Sequence, residues 1–261
     1  MPKFAANLSM MFNEVPFLER FAAARNAGFD AVEYLFPYDF PAEDVARNLE
    51  DQGLVQALFN MPPGDWEAGD RGISAIPGRE VEFQQSLETA LEYAAALNCK
   101  TIHCMAGILG PGVMPRRAER TYIGNLQLAA EAAEKHGITV LIEPLNSRDA
   151  PGYLLSYNDH AHRIIEEVGM ANLKLQLDLY HTQIMHGDLA ISIREFMPIT
   201  GHIQIAGVPQ RHEPDFGEIN YPYLFELIDE LGYEGWIGCE YRPRRSTLEG
   251  LGWIKPYLGQ S

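Results

Sequence analysis

Short apolar runs alternate with amphipathic stretches along the chain, with a repeat of about 30 residues. The apolar runs are rich in β-branched and aliphatic side chains, which is typical of strands buried on both faces. The amphipathic stretches repeat apolar residues at helical spacing, and several end in glycine, a common helix C-terminal residue. The pattern predicts eight strands, at residues 4–9, 31–36, 54–60, 101–105, 138–143, 173–179, 202–206 and 236–241.

A helix is predicted after each strand, at residues 16–27, 42–52, 79–97, 116–135, 159–168, 189–197, 223–231 and 247–257. Eight strand–helix units in 261 residues match an α/β fold of the (β/α)8 barrel type, with residues 1–261 as a single domain. A doubly wound open sheet is the alternative. It usually carries a Gly-x-Gly-x-x-Gly turn after an early strand, and the glycine cluster at residues 107–112 lacks that spacing.

The fifth predicted strand ends in a carboxylate, Glu143, and Pro144 follows at once. Proline has no N–H for the ladder, so the strand should end there. A carboxylate at the end of a buried strand costs free energy unless it is paired, protonated or bound to a metal. Taken alone, Glu143 is as compatible with a salt-bridged strand end as with a functional site.

The three following strands also carry an oxygen-bearing side chain near their ends: Asp178, Gln204 and Glu240. Barrel enzymes hold their active sites at the C-terminal ends of the strands, so we expect these side chains to converge with Glu143. Three carboxylates would repel one another without a cation, and oxygen ligands suit one divalent Mg²⁺ or Mn²⁺. Gln204 alone would be read as an ordinary buried amide.

Other polar residues have less specific patterns. His181 follows Asp178 closely and is equally compatible with a structural role and a substrate contact. His103 and His202 are interpreted as structural, with a core hydrogen bond for His103. The long segment 61–78 contains Trp66 and is predicted to pack over the site, because loops of this length are usually functional or disordered.

The charge balance limits the classes of partner. The formal net charge is −16, which argues against a nucleic-acid or anionic-membrane surface. No apolar run approaches the ~20 residues needed to cross a bilayer, and the N-terminus lacks the pattern of a signal peptide. The three cysteines form no Cys-x-x-Cys pair, which indicates a reducing, cytoplasmic location. The oligomeric state is left open, with a homo-oligomer as one possibility.

Several stretches together resemble the hydroxypyruvate isomerase family of xylose-isomerase-like barrels: FAANLSMMF, AGFDAVEYLFPYD, GDWEAGDRGISAIPGRE, IEPLN, QLDLYH, HIQIAG, GEINYPYLF and GWIGCEYRP. The resemblance covers nearly the whole chain and implies metal-dependent isomerisation of a small hydroxy-oxo acid. It implies that Glu143 and Glu240 are the acid–base pair and also metal ligands. Asp178 and Gln204 would complete the metal shell, and His181 would face the substrate.

Two subgroups of the family compete. The N-terminal 40 residues and the stretch QIAGVPQRHEPDFGEINYP are more similar to 2-oxo-tetronate isomerases, whereas IEPLNSRDAPGY and DWEAGDRGI are more similar to hydroxypyruvate isomerase. The balance favours a four-carbon 2-oxo-tetronate that reacts through an enediolate. The loop with Trp66 is predicted to exclude water. Arg71, His181 or Arg211 is predicted to hold the substrate carboxylate, an assignment from charge and placement alone.

Three other functions remain open. Paired glutamates on barrel strands also serve glycosidases. An endonuclease of the same superfamily would need a basic DNA track and more histidines at its metal site. A sugar-acid binding protein without catalysis would explain the fold, but it gives no reason for four oxygen-bearing side chains at one barrel mouth.

Overall fold

The computed structural model describes residues 1–258 and shows a closed barrel of eight parallel strands in sequential order. Each strand pairs with the next, and the first pairs with the eighth. The predicted barrel is therefore confirmed. The strands are Lys3–Asn7 (β1), Ala31–Tyr34 (β2), Val55–Asn60 (β3), Thr101–His103 (β4), Thr139–Ile142 (β5), Leu173–Asp178 (β6), Thr200–Ile205 (β7) and Trp236–Cys239 (β8).

Helices surround the barrel and cover the outer faces of the strands. They are Arg20–Asn26 (α1), Ala42–Gln52 (α2), Glu80–Ala96 (α3), Pro115–Glu134 (α4), Asn158–Val168 (α5), Leu179–Met185 (α6), Leu189–Phe196 (α7), Tyr221–Glu230 (α8) and Thr247–Gly250 (α9). A short 3-10 turn at Phe17–Glu19 precedes α1, and another at Met197–Ile199 follows α7. None of these helices combines the length and the apolar character that a membrane span requires.

Two helix predictions were wrong. The predicted C-terminal helix 247–257 is only one turn long, and turns follow it. Gly250, Gly252 and Pro256 lie within this stretch, and these residue types destabilise a helix interior. Conversely, α6 was not predicted. It begins directly after β6 because the Asp178 side chain accepts a hydrogen bond from the N–H of Tyr180 at 2.7 Å, a helix cap.

β3 ends at the predicted residue, and the other seven strands end one to two residues earlier than predicted. The polar side chains of β5 to β8 therefore lie close to the points where these strands meet their loops. Glu143 follows the last residue of β5, and Glu240 follows the last residue of β8. Asp178 is the last residue of β6, and Gln204 is the last but one of β7. The three cysteines are free and buried, and a cytoplasmic location stays a prediction.

Candidate active site

A cavity of about 490 Å³ opens at the C-terminal ends of the strands. Six of the eight side chains predicted for the site line it: Trp66, Arg71, Glu143, His181, Arg211 and Glu240. Asp178 is buried and reaches the same cluster of charges, whereas Gln204 is buried among other partners. These side chains thus lie at the end where barrels hold their sites, and their roles stay predictions.

Arg211 is the cation at the centre of the carboxylate cluster. Its Nη2 atom lies 2.7 Å from Glu240 Oε2 and 3.6 Å from Asp178 Oδ2, and its Nη1 atom lies 3.9 Å from Asp149 Oδ2. Glu143 completes the cluster with an Oε1 atom that has no hydrogen-bond partner within residues 1–258. In this arrangement the guanidinium offsets part of the repulsion between the carboxylates.

Burial and mutual repulsion raise the pKa values of these carboxyl groups. Burial is the main cause at Glu143, whose pKa rises well above its ordinary value, and Glu240 and Asp178 add to it. Burial raises the pKa of Glu240 to about 8 and that of Asp178 to about 6, although Arg211 opposes both shifts. Carboxyl groups with such pKa values can take up and release protons near neutral pH.

The backbone of Arg211 is held in an unusual conformation. Its φ angle of 59° lies in the left-handed region, which costs a non-glycine residue about 1 kcal/mol or more. Its N–H donates to the carbonyl of Gly207 at 2.8 Å, and its own carbonyl accepts from the N–H of Arg242 at 2.7 Å. Burial disfavours the guanidinium charge, but Glu240, Asp178 and Glu143 outweigh this and raise the pKa of Arg211. Two neighbouring loops thus hold Arg211 toward the carboxylates.

The tautomer of His181 is determined by a backbone group. The N–H of Asn146, which can only donate, lies 3.0 Å from His181 Nδ1. Burial, with help from Arg211 and His103, lowers the pKa of His181 well below its ordinary value, so the ring is neutral. Nδ1 is therefore the acceptor, and Nε2 carries the proton. That Nε2–H lies 3.6 Å from Asp178 Oδ2 and 3.9 Å from Glu143 Oε1.

The cluster is suited to a metal ion. Glu143, Asp178 and His181 each offer a ligand atom, and these atoms lie within 4.8 Å of one another. Glu143 Oε1 and Asp178 Oδ2 are buried acceptors without a hydrogen-bond partner among the described residues. Buried acceptors of this kind are usually satisfied by a donor or a cation. The tautomer of His181 makes its Nε2 a donor, so the carboxylates offer the free ligand atoms.

Gln204 lies beside Asp178 in the barrel sheet, where the two residues are register partners. Its Nε2 atom donates to Glu33 Oε1 at 2.8 Å, and its Oε1 atom accepts from Gln176 Nε2 at 2.6 Å. Its carbonyl oxygen retains a second lone pair. His202 lies within β7. Its Nε2 atom is 2.7 Å from Glu33 Oε2.

The segment 61–78 contains no helix or strand, and it packs closely against the end of β4. Gly72 contacts Met105 so closely that a Cβ would collide with the Met105 backbone, and its φ is 99°. Trp66 and Arg71 face the cavity from this segment, with the guanidinium carbon 3.8 Å from the centre of the indole ring. Arg71 Nη1 donates to the carbonyls of Trp66 and Asp70, which orients the guanidinium.

Some side chains at the site were missed by sequence reasoning. Asp149 Oδ2 accepts from the Tyr180 hydroxyl at 2.9 Å, and the Arg211 guanidinium lies 4.9 Å from the centre of the Tyr180 ring. Both residues line the cavity. Glu33 was also missed, although an acidic residue inside the apolar run 31–36 was the available signal. His103 makes the predicted core hydrogen bond, at 3.2 Å to Asn60 Oδ1.

Comparison with known proteins identifies the family. Residues 21–257 match the family model described as a xylose isomerase-like TIM barrel. A 2-oxo-tetronate isomerase from Cupriavidus necator is 57% identical over 260 residues, which cover 100% of both chains. A hydroxypyruvate isomerase from Escherichia coli is 45% identical over 257 residues, covering 98% of this chain and 100% of the relative.

Among solved structures, a Brucella melitensis protein described as an AP endonuclease of family 2 is 54% identical. It superposes with a TM-score of 0.98 and covers 99% of this chain and 100% of its own. That description differs from the curated relatives of similar identity, which are isomerases. The chain belongs to the xylose isomerase-like TIM barrel family, among its hydroxypyruvate and 2-oxo-tetronate isomerases, and is an isomerase that interconverts keto and hydroxy positions.

Proposed function

We propose that this protein isomerises a 2-oxo-tetronate, a four-carbon 2-oxo-3-hydroxy acid, through an enediolate. The observation that carries the proposal is the pair Glu143 and Glu240, two buried carboxyl groups that face one cavity and have raised pKa values. They follow β5 and β8, which lie three strands apart in the closed barrel, so they enter the cavity from different sides. This arrangement suits two proton transfers at adjacent carbons.

The proposed reaction removes a proton from C3, adds a proton at C2, and exchanges the carbonyl and hydroxyl groups between these two carbons. Either Glu143 or Glu240, as carboxylate, removes the proton from C3, and the C3–H electron pair forms the C2–C3 double bond of the enediolate. The C2 carbonyl oxygen takes a proton and becomes a hydroxyl group. The other glutamate, as carboxylic acid, protonates C2, and loss of the C3 hydroxyl proton then gives the 3-oxo isomer.

Four residues would hold a divalent Mg²⁺ or Mn²⁺ ion in this proposal, namely Glu143, Asp178, Gln204 and Glu240. The two unpartnered carboxylate oxygens and the all-oxygen donor set support it. Such an ion, when bound, polarises the substrate carbonyl and stabilises negative charge on the enediolate oxygens. The protein side chains position the acid and move its protons.

Arg71 is our proposed contact for the substrate carboxylate. Arg211 already pairs with Glu240, and His181 offers a single N–H, whereas Arg71 makes no ion pair within residues 1–258. Its Nη1 atom is used by backbone carbonyls, which leaves other N–H groups for a carboxylate. Stacking on Trp66 and the close packing of the segment 61–78 hold it in place.

Replacing Arg71 by methionine should raise KM for the acid by about 10- to 100-fold, because a charge-assisted hydrogen bond contributes about 1.5–3 kcal/mol. The turnover number should change much less, since the carboxylate itself takes no part in the proton transfers. Steady-state kinetics measure both. Arg116→Met on α4, outside the cavity, is the matched control and should be unchanged. An unaltered KM in the Arg71 variant would show that another cation binds the substrate carboxylate.

We propose that His181 donates a hydrogen bond from Nε2 to a substrate oxygen. The Asn146 backbone N–H donates to Nδ1, which leaves the ring proton on Nε2. Glutamine places an N–H near the Nε2 position of histidine, whereas asparagine places one nearer Nδ1. We expect His181→Gln to retain most of the activity and His181→Asn to lose about 10- to 100-fold in kcat/KM. Both variants should bind Mn²⁺ as the wild type does. A large loss of Mn²⁺ affinity in His181→Gln would instead make His181 a ligand.

The choice of substrate is tested by direct comparison. We expect kcat/KM for a 2-oxo-tetronate to exceed that for hydroxypyruvate, because the relative of 57% identity is a 2-oxo-tetronate isomerase. The relative of 45% identity supports hydroxypyruvate as the second candidate. The products can be identified by NMR. A higher kcat/KM with hydroxypyruvate would reverse the assignment.

An isomerase explains the site better than an endonuclease or a hydrolase does. The net charge of −16 opposes DNA binding, and the carboxylate cluster lies at a cavity of about 490 Å³, within the range of small-molecule sites. A glycosidase with two glutamates needs no metal, so it would stay active in excess chelator. A binding protein without catalysis would bind the acid but never exchange its α-proton.

A further inference from the structure

A buried polar network crosses the barrel beneath the carboxylate cluster, and the proposed function assigns no role to its central residue, Glu33. This carboxylate is 1% exposed. Its Oε1 atom accepts from Asn7 Nδ2 at 2.9 Å and from Gln204 Nε2 at 2.8 Å. Its Oε2 atom lies 2.7 Å from His202 Nε2. Residues of β1, β2 and β7 thus meet at one carboxyl group.

The barrel leaves space for this carboxylate at a specific place. Gly238 of β8 has no side chain, and a Cβ there would collide with the Glu33 carboxyl group. Residue 238 is the register partner of Gln204, so the space lies next to that amide. Glycine within a strand weakens it and often marks a close approach by another group. Here the approaching group is the Glu33 side chain.

The network determines the orientation of the Gln204 side-chain amide. The Gln204 NH₂ group, and not its oxygen, faces Glu33, because Glu33 Oε1 accepts from both Gln204 Nε2 and Asn7 Nδ2. Gln176 donates to the Gln204 oxygen at 2.6 Å from the other side, which agrees with the same orientation. A glutamine without such partners can present either atom, because its two ends have nearly the same shape.

We propose that Glu33 is a positioning residue that fixes the Gln204 amide with its oxygen directed away from Glu33 and available to a divalent cation. The inference rests on the proposed function, in which Gln204 is a ligand. An amide nitrogen has no free lone pair for a cation, so a flipped amide would remove one ligand. Outer-shell partners of this kind typically change metal affinity 10- to 100-fold when they are replaced.

The alternative role of Glu33 is a negative charge that attracts any cation from a distance. It is among the charges that raise the pKa values of Glu143, Asp178 and Glu240. The two roles differ in one respect. A positioning effect requires the Gln204 amide, whereas a distant charge acts whether or not the amide is present. A double-mutant cycle between the two residues therefore separates them.

The experiment measures Mn²⁺ dissociation constants by electron paramagnetic resonance for the wild type, Glu33→Gln, Gln204→Met and the double variant. We expect each single variant to weaken binding about 10- to 100-fold and the double variant to match Gln204→Met within about threefold. Asn7→Ala is the matched control. It removes a donor to the same Glu33 oxygen without contacting Gln204, and it should bind Mn²⁺ as the wild type does.

Two results would overturn the inference: wild-type affinity in Glu33→Gln, or an undiminished Glu33→Gln effect in the Gln204→Met background. Failure of the proposed function looks different, because then the wild type itself would not bind Mn²⁺ or Gln204→Met would bind it normally.

Gly238→Ala provides a second route if Glu33→Gln does not fold. It displaces the Glu33 carboxylate without removing its charge, and it should weaken Mn²⁺ binding similarly, with wild-type affinity contradicting the inference.

Discussion

Glutamine in place of Glu143 or of Glu240 should lower turnover by about 10²- to 10⁴-fold, the range of general acid–base catalysis. Glutamine has nearly the shape of glutamate but cannot remove a proton from C3 or donate one to C2. Both residues are buried and face the same cavity, so each variant removes one of the two proposed proton-transfer groups from the site. Steady-state kinetics on a 2-oxo-tetronate provide the measurement, and circular dichroism confirms folding.

The control for these variants is Glu166→Gln, on the exposed face of α5, which should keep the wild-type rate. Metal affinity must be measured in parallel, because Glu143 and Glu240 are also proposed ligands. If either variant, folded and loaded with metal, kept the wild-type rate, the two-glutamate mechanism would be wrong.

Removal of divalent metal should lower the activity by about a thousandfold, because an ion of this kind stabilises transition-state charge by several kcal/mol. The protein is dialysed against a chelator and assayed, and Mg²⁺ or Mn²⁺ is then added back. We expect either ion to restore the rate. Unchanged activity in excess chelator would contradict the proposed metal and would favour a hydrolase with paired glutamates.

Metal affinity should also increase as the pH rises. The pKa values of about 6 for Asp178 and about 8 for Glu240 mean that protons compete for these carboxylates at lower pH. Binding should therefore tighten as pH rises from 6 to 8, by about tenfold per pH unit for each proton released. Above pH 8 the Glu240 contribution should level off. Titration with Mn²⁺ at several pH values measures this, and affinity that falls with rising pH would contradict the pKa assignment.

The sequence predicted the barrel because its strand pattern is local and repeated. Short apolar runs that alternate with amphipathic stretches indicated all eight strands. Helix α6 was missed because its start depends on a capping hydrogen bond to the Asp178 side chain. The sequence placed Asp178 at the end of a strand and gave no sign that it would also cap a helix. The overextended tail helix shows the opposite error, because apolar spacing continued through glycines that end the helix.

The site was predictable where side chains lie at the ends of strands. Glu143, Asp178 and Glu240 were placed together because parallel strands of a barrel end at one face. The partners of Gln204 were not predictable, because they depend on which strand lies across the barrel interior. Glu33 and Gln204 are 171 positions apart in the sequence. They meet where Gly238, on a third strand, leaves space for the Glu33 carboxyl group. The position of Arg211 among the carboxylates was not predictable either, because it depends on the conformation of the loop that carries this residue.

The most direct test of the central claim follows the carbon-bound protons. The protein, with Mg²⁺ or Mn²⁺, is incubated with a 2-oxo-tetronate in D₂O, and proton NMR follows the substrate and product. The enediolate mechanism predicts the 3-oxo isomer with deuterium at C2, and loss of the C3 proton signal from the substrate as it reacts. Isomerisation without any deuterium incorporation, or no reaction in the metal-loaded protein, would contradict it.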